Sequence, residues 1–419
     1  MKLKTGAWLL AASVLAAGCG TSTPDTQSAS PVGDGQTTTR PGYEGATDPD
    51  PAPVKEKANA QAVRFGGKPV IEACNLLSWT DLTSLGVKVD PRPDPNIVNF
   101  QRSYLVGDGS GLLKTSAITY AKADGLALNK CNYSLRSADG TLQETLAVAV
   151  SQPAYVPSAA GAAAAYDGVH PSIALGSVRL FSKRRDVPEP DASGEAAVVL
   201  GDTVASFDFD LKGAGNAGKL QDIAKRVMQN LQAQADHPVG PSTIDYSSPV
   251  FPQPVAQPCP LLTPDVVTPA IGADASPLVS EMPGTSVGDV VFPHETQPYN
   301  YVALECARGT GQDDALSRKA LALRVTSFLS EEGAKKYVEN TAGAHGGQAT
   351  TAPVGDESKI MTDTLSVKTR GVLIFRKGRF AFELQLADHD GHPDGLTLEE
   401  ATSALGPAGQ KIAQSFRGV

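Results

Sequence analysis

The sequence predicts an α+β fold written twice: two tandem repeats, each a mainly antiparallel sheet with helices packed on one face. Three observations predict it. The run Cys-x-Leu-Leu-Ser/Thr occurs at Cys74 and again at Cys259, with a second cysteine 57 and 47 residues on, at Cys131 and Cys306. Each half then carries a strand in which apolar residues alternate with polar ones, the mark of a sheet covered on one side. Phe207, Phe209 and Leu211 alternate with Ser206, Asp208 and Asp210; Phe380, Phe382, Leu384 and Leu386 alternate with Arg379, Ala381, Glu383 and Gln385. Each half closes on a helical stripe, and Cys74 to Leu231 and Cys259 to Phe416 both span 157 residues.

The 419-residue length suits two domains with tails, and 41% hydrophobic residues suffice for real cores. A net charge of −9 argues against a nucleic-acid partner, which would want a basic face. Residues 1–18 read as an export signal. Lys2 and Lys4 precede an apolar run from Gly6 to Ala17, too short to span a bilayer and the right length for a signal core. Ala16-Ala17-Gly18-Cys19 resembles the bacterial lipobox, in which the Cys is lipidated and becomes the new N-terminus; an ordinary secreted protein cleaved nearby is the rival reading. Loss of 1–18 leaves 34 basic against 45 acidic side chains, a charge of −11.

Residues 19–64 are expected to be a disordered tether. Between 20 and 60 there is no Leu, Ile, Phe or Trp and there are six Pro, so too little apolar surface is available to offset ordering entropy. The first domain is placed at 65–236. Ser78 suits a helix N-cap and Gly86 a helix end. A strand over 144–151, an Ala-rich helix over 158–167, the alternating strand at 206–211 and a stripe of Leu220, Ile223, Ala224, Val227, Met228 and Leu231 follow. Residues 237–258 hold six Pro and read as a semi-rigid linker. The second domain, 259–419, repeats the series. Thr263 and Pro264 open a short helix closed by Gly272, then come a strand at 320–329, a helix at 330–341, the Phe380 strand and a poorer stripe interrupted at Gly406-Pro407.

With Cys19 lipidated, four cysteines remain in an exported chain, where disulfides persist. They permit three connectivities; the repeat selects Cys74–Cys131 and Cys259–Cys306 by symmetry. Metal binding is the rival, but no CxxC spacing exists.

A lipobox, a Thr/Ser/Pro tether and a domain opening Cys-x-Leu-Leu-Ser/Thr resemble a family of secreted actinobacterial lipoproteins of unknown function, similar in turn to the extracellular sensor domain of certain membrane Ser/Thr kinases. The resemblance implies a cell-surface α+β domain that binds or senses. It supplies no catalytic residues. Tyr133 stands where that family often has an aromatic after its second Cys, and Arg308 stands there in the second half.

The motifs with a chemical look each have a plainer reading. Gly213-x-Gly215-x-x-Gly218 precedes a helix, but no second parallel strand follows to make a dinucleotide site, so it reads as a glycine turn. Gly284-Thr285-Ser286-Val287-Gly288 has the wrong flanks for a nucleophile elbow. Asp388, Asp390, His392 and Asp394 are the densest metal-capable cluster, yet no register of a calcium loop satisfies both its Gly and its final Glu; the run reads as a turn into a capping box of Thr397 with Glu400. Lys183-Arg184-Arg185 reads as a hairpin tip, with anionic headgroups or wall phosphates as the functional alternative. Asn132-Tyr133-Ser134 fits a glycosylation sequon that a bacterial chain would not use, and Trp79 reads as core rather than ligand platform.

The expectation is therefore a lipid-anchored extracytoplasmic binding or sensor-like protein on the outer face of the membrane. It would be non-catalytic, with no cofactor, and would recognise a small molecule, lipid or envelope component in the cleft between halves or on a sheet face. An envelope scaffold and a hydrolase with an unrecognised site are the alternatives.

Overall fold

A computed structural model describes residues 55–59, 61–87, 100–106, 129–136, 143–155, 159–184, 187, 191–246, 251–283, 288–292, 296–309, 319–344, 346–363, 370–388 and 396–418. The expected signal, Cys19 and the tether up to 54 lie outside this set. Folded structure begins inside the stretch read as tether. Strand β1 (Lys55–Asn59) pairs antiparallel with β11 (Gly240–Asp245), and β2 (Arg64–Phe65) with β3 (Lys68–Pro69) make a small hairpin. The expected linker is thus not a free spacer: it supplies β11, and its Tyr246, Phe251 and Val255 join the first core. Strand β11 anchors the ribbon by burying Ile244 in the first core, while β1 is held to it by backbone pairing and has no apolar stripe to announce it.

The chain continues through α1 (Ala73–Leu76) and α2 (Trp79–Ser84) into strands β4 (Phe100–Leu105), β5 (Lys130–Arg136) and β6 (Gln143–Ser151). Helix α3 (Ala159–Ala164), β7 (Ile173–Leu175), β8 (Val178–Arg184), β9 (Ala192–Leu200) and β10 (Thr203–Leu211) follow, then α4 (Gly213–Ala217) and α5 (Leu220–Asp236). After β11 come α6 (Pro264–Ile271), β12 (Leu278–Pro283), β13 (Gly288–Val290), β14 (Tyr299–Gly309) and β15 (Lys319–Phe328). The chain ends with α7 (Glu331–Ala344), β16 (Gly346–Thr350), β17 (Glu357–Asp363), β18 (Arg370–Lys377), β19 (Phe380–Asp388) and α8 (Leu398–Ser415).

The structure is mixed α/β around one large antiparallel sheet, not two separate sheets. Its order is β7-β8-β9-β10-β6-β5-β4-β12-β14-β15-β19-β18-β17-β16, with β13 added on β14. The join is β4 against β12, where Arg102 faces Glu281 and Leu105 faces Leu278. Outward from this seam both arms use their strands in the same connection order.

One face of the sheet carries the expected helices. The α5 stripe from Leu220 to Leu231 is buried on the strands of the first arm, and α8 packs on Leu373, Phe375 and Phe382 of the second. Helix α8 runs unbroken through Gly406-Pro407, although proline removes a helix hydrogen bond. The close fit is visible at Gly409, where an added Cβ would come within 2.2 Å of Leu373. Here Phe375 stacks on Phe382 at 4.6 Å and Phe416 meets Phe382 edge-on at 5.0 Å.

The other face is covered too, which corrects the one-face expectation. Helix α3 buries Ala163 against Phe181, Ala197 and Val199, and α7 buries Ala334 and Val338 against Met361, Val372 and Ile374. Residues such as Ala197, Val198 and Val199 alternate between the two cores, as the period of a strand requires. The glycine motif at 213–218 is also not an open turn: it forms α4, whose flank is fixed by Glu144 accepting from the Lys212 N–H at 2.9 Å and from Asn216 at 2.6 Å.

Candidate functional site

The seam places one ion pair at the centre of an apolar row. Across successive strands the facing residues are Val148, Cys131, Arg102, Glu281, Cys306 and Leu323. Arg102 and Glu281 occupy matching places on either side of the join, with opposite charge. Their side chains are 5% and 1% exposed, so water does not screen them.

The guanidinium is held at every donor nitrogen. Nε donates to Glu281 Oε2 at 2.9 Å and Nη2 to Oε1 at 3.0 Å, the two-pronged geometry that makes such pairs strong. Nη1 donates to the Ser242 carbonyl of β11 at 2.7 Å. Tyr104 donates its hydroxyl to Glu281 Oε2 at 3.0 Å, and its ring centre lies 4.9 Å from the guanidinium carbon. Burial alone would pull Arg102 down, but Glu281 and the nearby phenols hold it above its ordinary pKa. Burial, then the Glu281 charge, pushes the Tyr104 and Tyr246 hydroxyls up.

A second acid faces the same cation. Glu72, 2% exposed, has its pKa pushed up to about 8 by burial, with Arg102 opposing the shift. Among the described residues, its Oε1 and the Tyr246 hydroxyl are buried without a hydrogen-bond partner. The backbone on either side of Glu72 is clamped: Asn129 Oδ1 accepts from Ala73 N and Gln152 Oε1 from Ile71 N, both at 2.8 Å. Glu72, Arg102, Ser103, Asn129 and Ser242 line a cavity with about 10 Å³ for the centre of a water, room for one molecule. At neutral pH the raised pKa of Glu72 keeps it protonated beside the Arg102–Glu281 ion pair.

Each arm is stapled beside the seam. Cys74–Cys131 and Cys259–Cys306 are bonded, with Cα atoms 5.1 and 5.2 Å apart. The residue two places after each second cysteine does equivalent work with different chemistry. Tyr133 donates to the Leu77 carbonyl; Arg308 donates to the Leu262 carbonyl at 2.7 Å and to the Ser276 carbonyl at 2.6 Å. Each thereby satisfies the carbonyl ending its Cys-x-Leu-Leu run.

A separate open groove of about 660 Å³ lies where the terminal strand β16 meets the start of α8. It is lined by Gln348, Thr350, Thr397, Leu398, Thr402 and their neighbours. The capping box of Thr397 with Glu400 is present at this end.

The metal-capable cluster is only partly in view. Asp388 ends β19, its side chain is outside the described set, and Asp390, His392 and Asp394 lie outside the described residues. Among the described residues no group of three potential ligands comes together. Arg185 and Ser286 also lie outside, as do the side chains of Lys183 and Arg184. The segment before Ser286 is β12 and the one after is β13, so the helix a nucleophile elbow needs is missing. Asn132 and Ser134 sit inside β5, with Ser134 1% exposed. Trp79 is core, edge-on to Tyr133 at 6.3 Å.

Sequence reasoning missed Glu72, Arg102, Glu281, Tyr104 and Tyr246. A signal was present: Glu72 stands alone in Pro69-Val70-Ile71-Glu72-Ala73, and a lone acid in an apolar run is buried at a cost unless it is paired or protonated. Comparison with protein-family models, curated proteins and solved structures finds no match for this chain.

Proposed function

We propose that the chain is a lipid-anchored extracytoplasmic binding or sensor-like lipoprotein, non-catalytic, on the outer face of the cell membrane. It recognises a small molecule, lipid or envelope component. The observation that carries this reading is the start of the chain: a short basic and apolar segment, Ala16-Ala17-Gly18-Cys19, and then a long stretch poor in apolar residues. Two disulfides suit the same compartment, and no helix among the described residues is long and apolar enough to cross a membrane. The membrane partner is reached through lipid on Cys19.

The two arms derive, in this reading, from duplication of one α+β unit. Matching strand order outward from the seam and matching cysteine pairs support it. The groove between β16 and α8 is the favoured ligand site, because it is open and exposes mostly apolar surface beside hydroxyl and amide side chains of Gln348, Thr350, Thr397 and Thr402, which suits an extended ligand with few polar groups. Glu72 is the feature among the described residues that most favours the hydrolase alternative, since strongly raised acids cluster at catalytic sites. Its cavity admits a water and not a substrate, which weighs for the non-catalytic reading.

The test is native mass spectrometry of protein purified from its own membranes. The expected result is a mature chain starting at lipidated Cys19 with a bound small molecule or lipid. An unmodified N-terminus, or one upstream of Cys19, would overturn the anchor. A co-purifying envelope protein without small ligand would favour the scaffold.

A further inference from the structure

The two disulfides share a backbone frame and stand in different surroundings. Cys131, Arg102, Glu281 and Cys306 face one another in a row across successive strands. Neighbouring strands lie about 4.8 Å apart. From Cys131 the cation is therefore one strand away and the anion two; from Cys306 the order is reversed. Both charges are buried, so water screens neither. A neighbouring guanidinium favours a thiolate. A sulfur released at Cys131 is thus held by Arg102, whereas one released at Cys306 meets the Glu281 carboxylate.

Two further differences point the same way. Cys74 is partly exposed, while Cys131, Cys259 and Cys306 are buried. Cys74 also lines the water-sized cavity that Glu72 and Arg102 line. At neutral pH Glu72 carries its proton there, and its Oε1 has no hydrogen-bond partner among the described residues. The second arm has Gln257 at the matching place, an amide with no proton to give.

We propose that Cys74–Cys131 is a redox site that accepts two electrons from a dithiol, while Cys259–Cys306 is a permanent staple. A thiolate of the dithiol attacks Cys74 Sγ. The bond to Cys131 breaks, its electron pair goes to Cys131 Sγ, and the new thiolate stands beside Arg102. The second thiol of the reagent, as its thiolate, attacks the reagent sulfur now bound to Cys74. This closes the reagent's own disulfide and frees Cys74, which takes the proton of Glu72. Glu72 regains a proton from water. The dithiol is oxidised and the protein disulfide reduced. Opening the bond parts α1 from β5 beside the seam.

The test treats the native full-length chain with dithiothreitol in the absence of denaturant, traps free thiols with iodoacetamide and maps them by mass spectrometry. Cys74 and Cys131 are expected to be trapped at least about tenfold faster than Cys259 and Cys306. Per reagent thiolate, that rate is expected to fall about tenfold between about pH 7 and 9, as Glu72 gives up its proton. Reduction through unfolding would do the reverse, because stability falls over the same range. Glu72→Gln should flatten the profile. Both disulfides opening together, or Cys259–Cys306 opening first, would overturn the redox site. A parent rate per thiolate that holds or rises over this range would overturn proton delivery by Glu72.

Discussion

The two arms solve the same local problems with different side chains. Beside the first staple, a neutral phenol, Tyr133, satisfies the last carbonyl of the Cys-x-Leu-Leu run; beside the second, a guanidinium, Arg308, does so and reaches a second carbonyl. Two residues before the first cysteine stands Glu72; two before Cys259 stands Gln257, whose amide donates to the Ile244 carbonyl at 3.0 Å. The closing helix answers the opening one by an ion pair in both arms, Arg226 with Asp81 and Lys411 with Asp265. Where architecture is shared and chemistry differs, the differences gather at the seam. The first arm brings Arg102 and Glu72 to the join; the second brings Glu281, and the neutral Gln257 stands where the first has Glu72.

The largest break in this comparison is expected from Arg102→Met alone. It strands Glu281 with no cation, and loss of one buried partner costs about 3–5 kcal/mol. Urea unfolding measures it; the equivalent Arg376→Met in β18, where the ion pairs are partly exposed, is expected to cost about 1 kcal/mol or less.

Glu72→Gln makes the first arm resemble the second. The native carboxyl keeps its proton to about pH 8, whereas the unfolded chain releases it near 4.5. The native state therefore binds more protons between those values, and its stability falls as pH rises through that window. The Gln variant should lose this slope and be more stable than the parent by about 3–5 kcal/mol at pH 9. Parallel stability curves for the two proteins from pH 5 to 9 would refute the assignment.

Tyr133→Phe and Arg308→Met compare the two staples. The first removes one neutral hydrogen bond and is expected to cost about 1–2 kcal/mol; the second removes charged donors to two carbonyls and should cost about 2–4 kcal/mol. Equal costs would mean that Arg308 does no more than Tyr133. The smallest effect is at the first helices. Ser78 accepts from the Asp81 N–H in a full capping box, while Thr263 makes no cap bond. Ser78→Ala should cost about 1 kcal/mol and Thr263→Ala less than half of that, both read from thermal melts.

The elements carried by apolar periodicity were legible in the sequence. The stripes of α5 and α8, the alternating β10 and β19, the cysteine pairs and the Thr397 box stand where the pattern puts them. Three things were not legible. The covered second face is built partly of small residues, Ala163, Ala197, Ala334 and Ala381, which mark neither burial nor exposure in a pattern. Strand β1 (Lys-Glu-Lys-Ala-Asn) is held by pairing with β11 and has no apolar stripe to announce it. The seam cluster joins residues 179 positions apart, such as Arg102 and Glu281, and pairing at that separation leaves no local trace. Of the candidate site, only the cysteines were foreseen, because repetition made their partners readable.

The central claim is that both arms form one sheet closed at β4 and β12. Native-state hydrogen exchange of the full chain tests it most directly. Amides of β4 and β12 should be protected as strongly as those of β5 and β14, and Arg102→Met should release β4 and β12 together. Fast exchange in β4 and β12 beside slow exchange in β5 and β14 would contradict a closed seam.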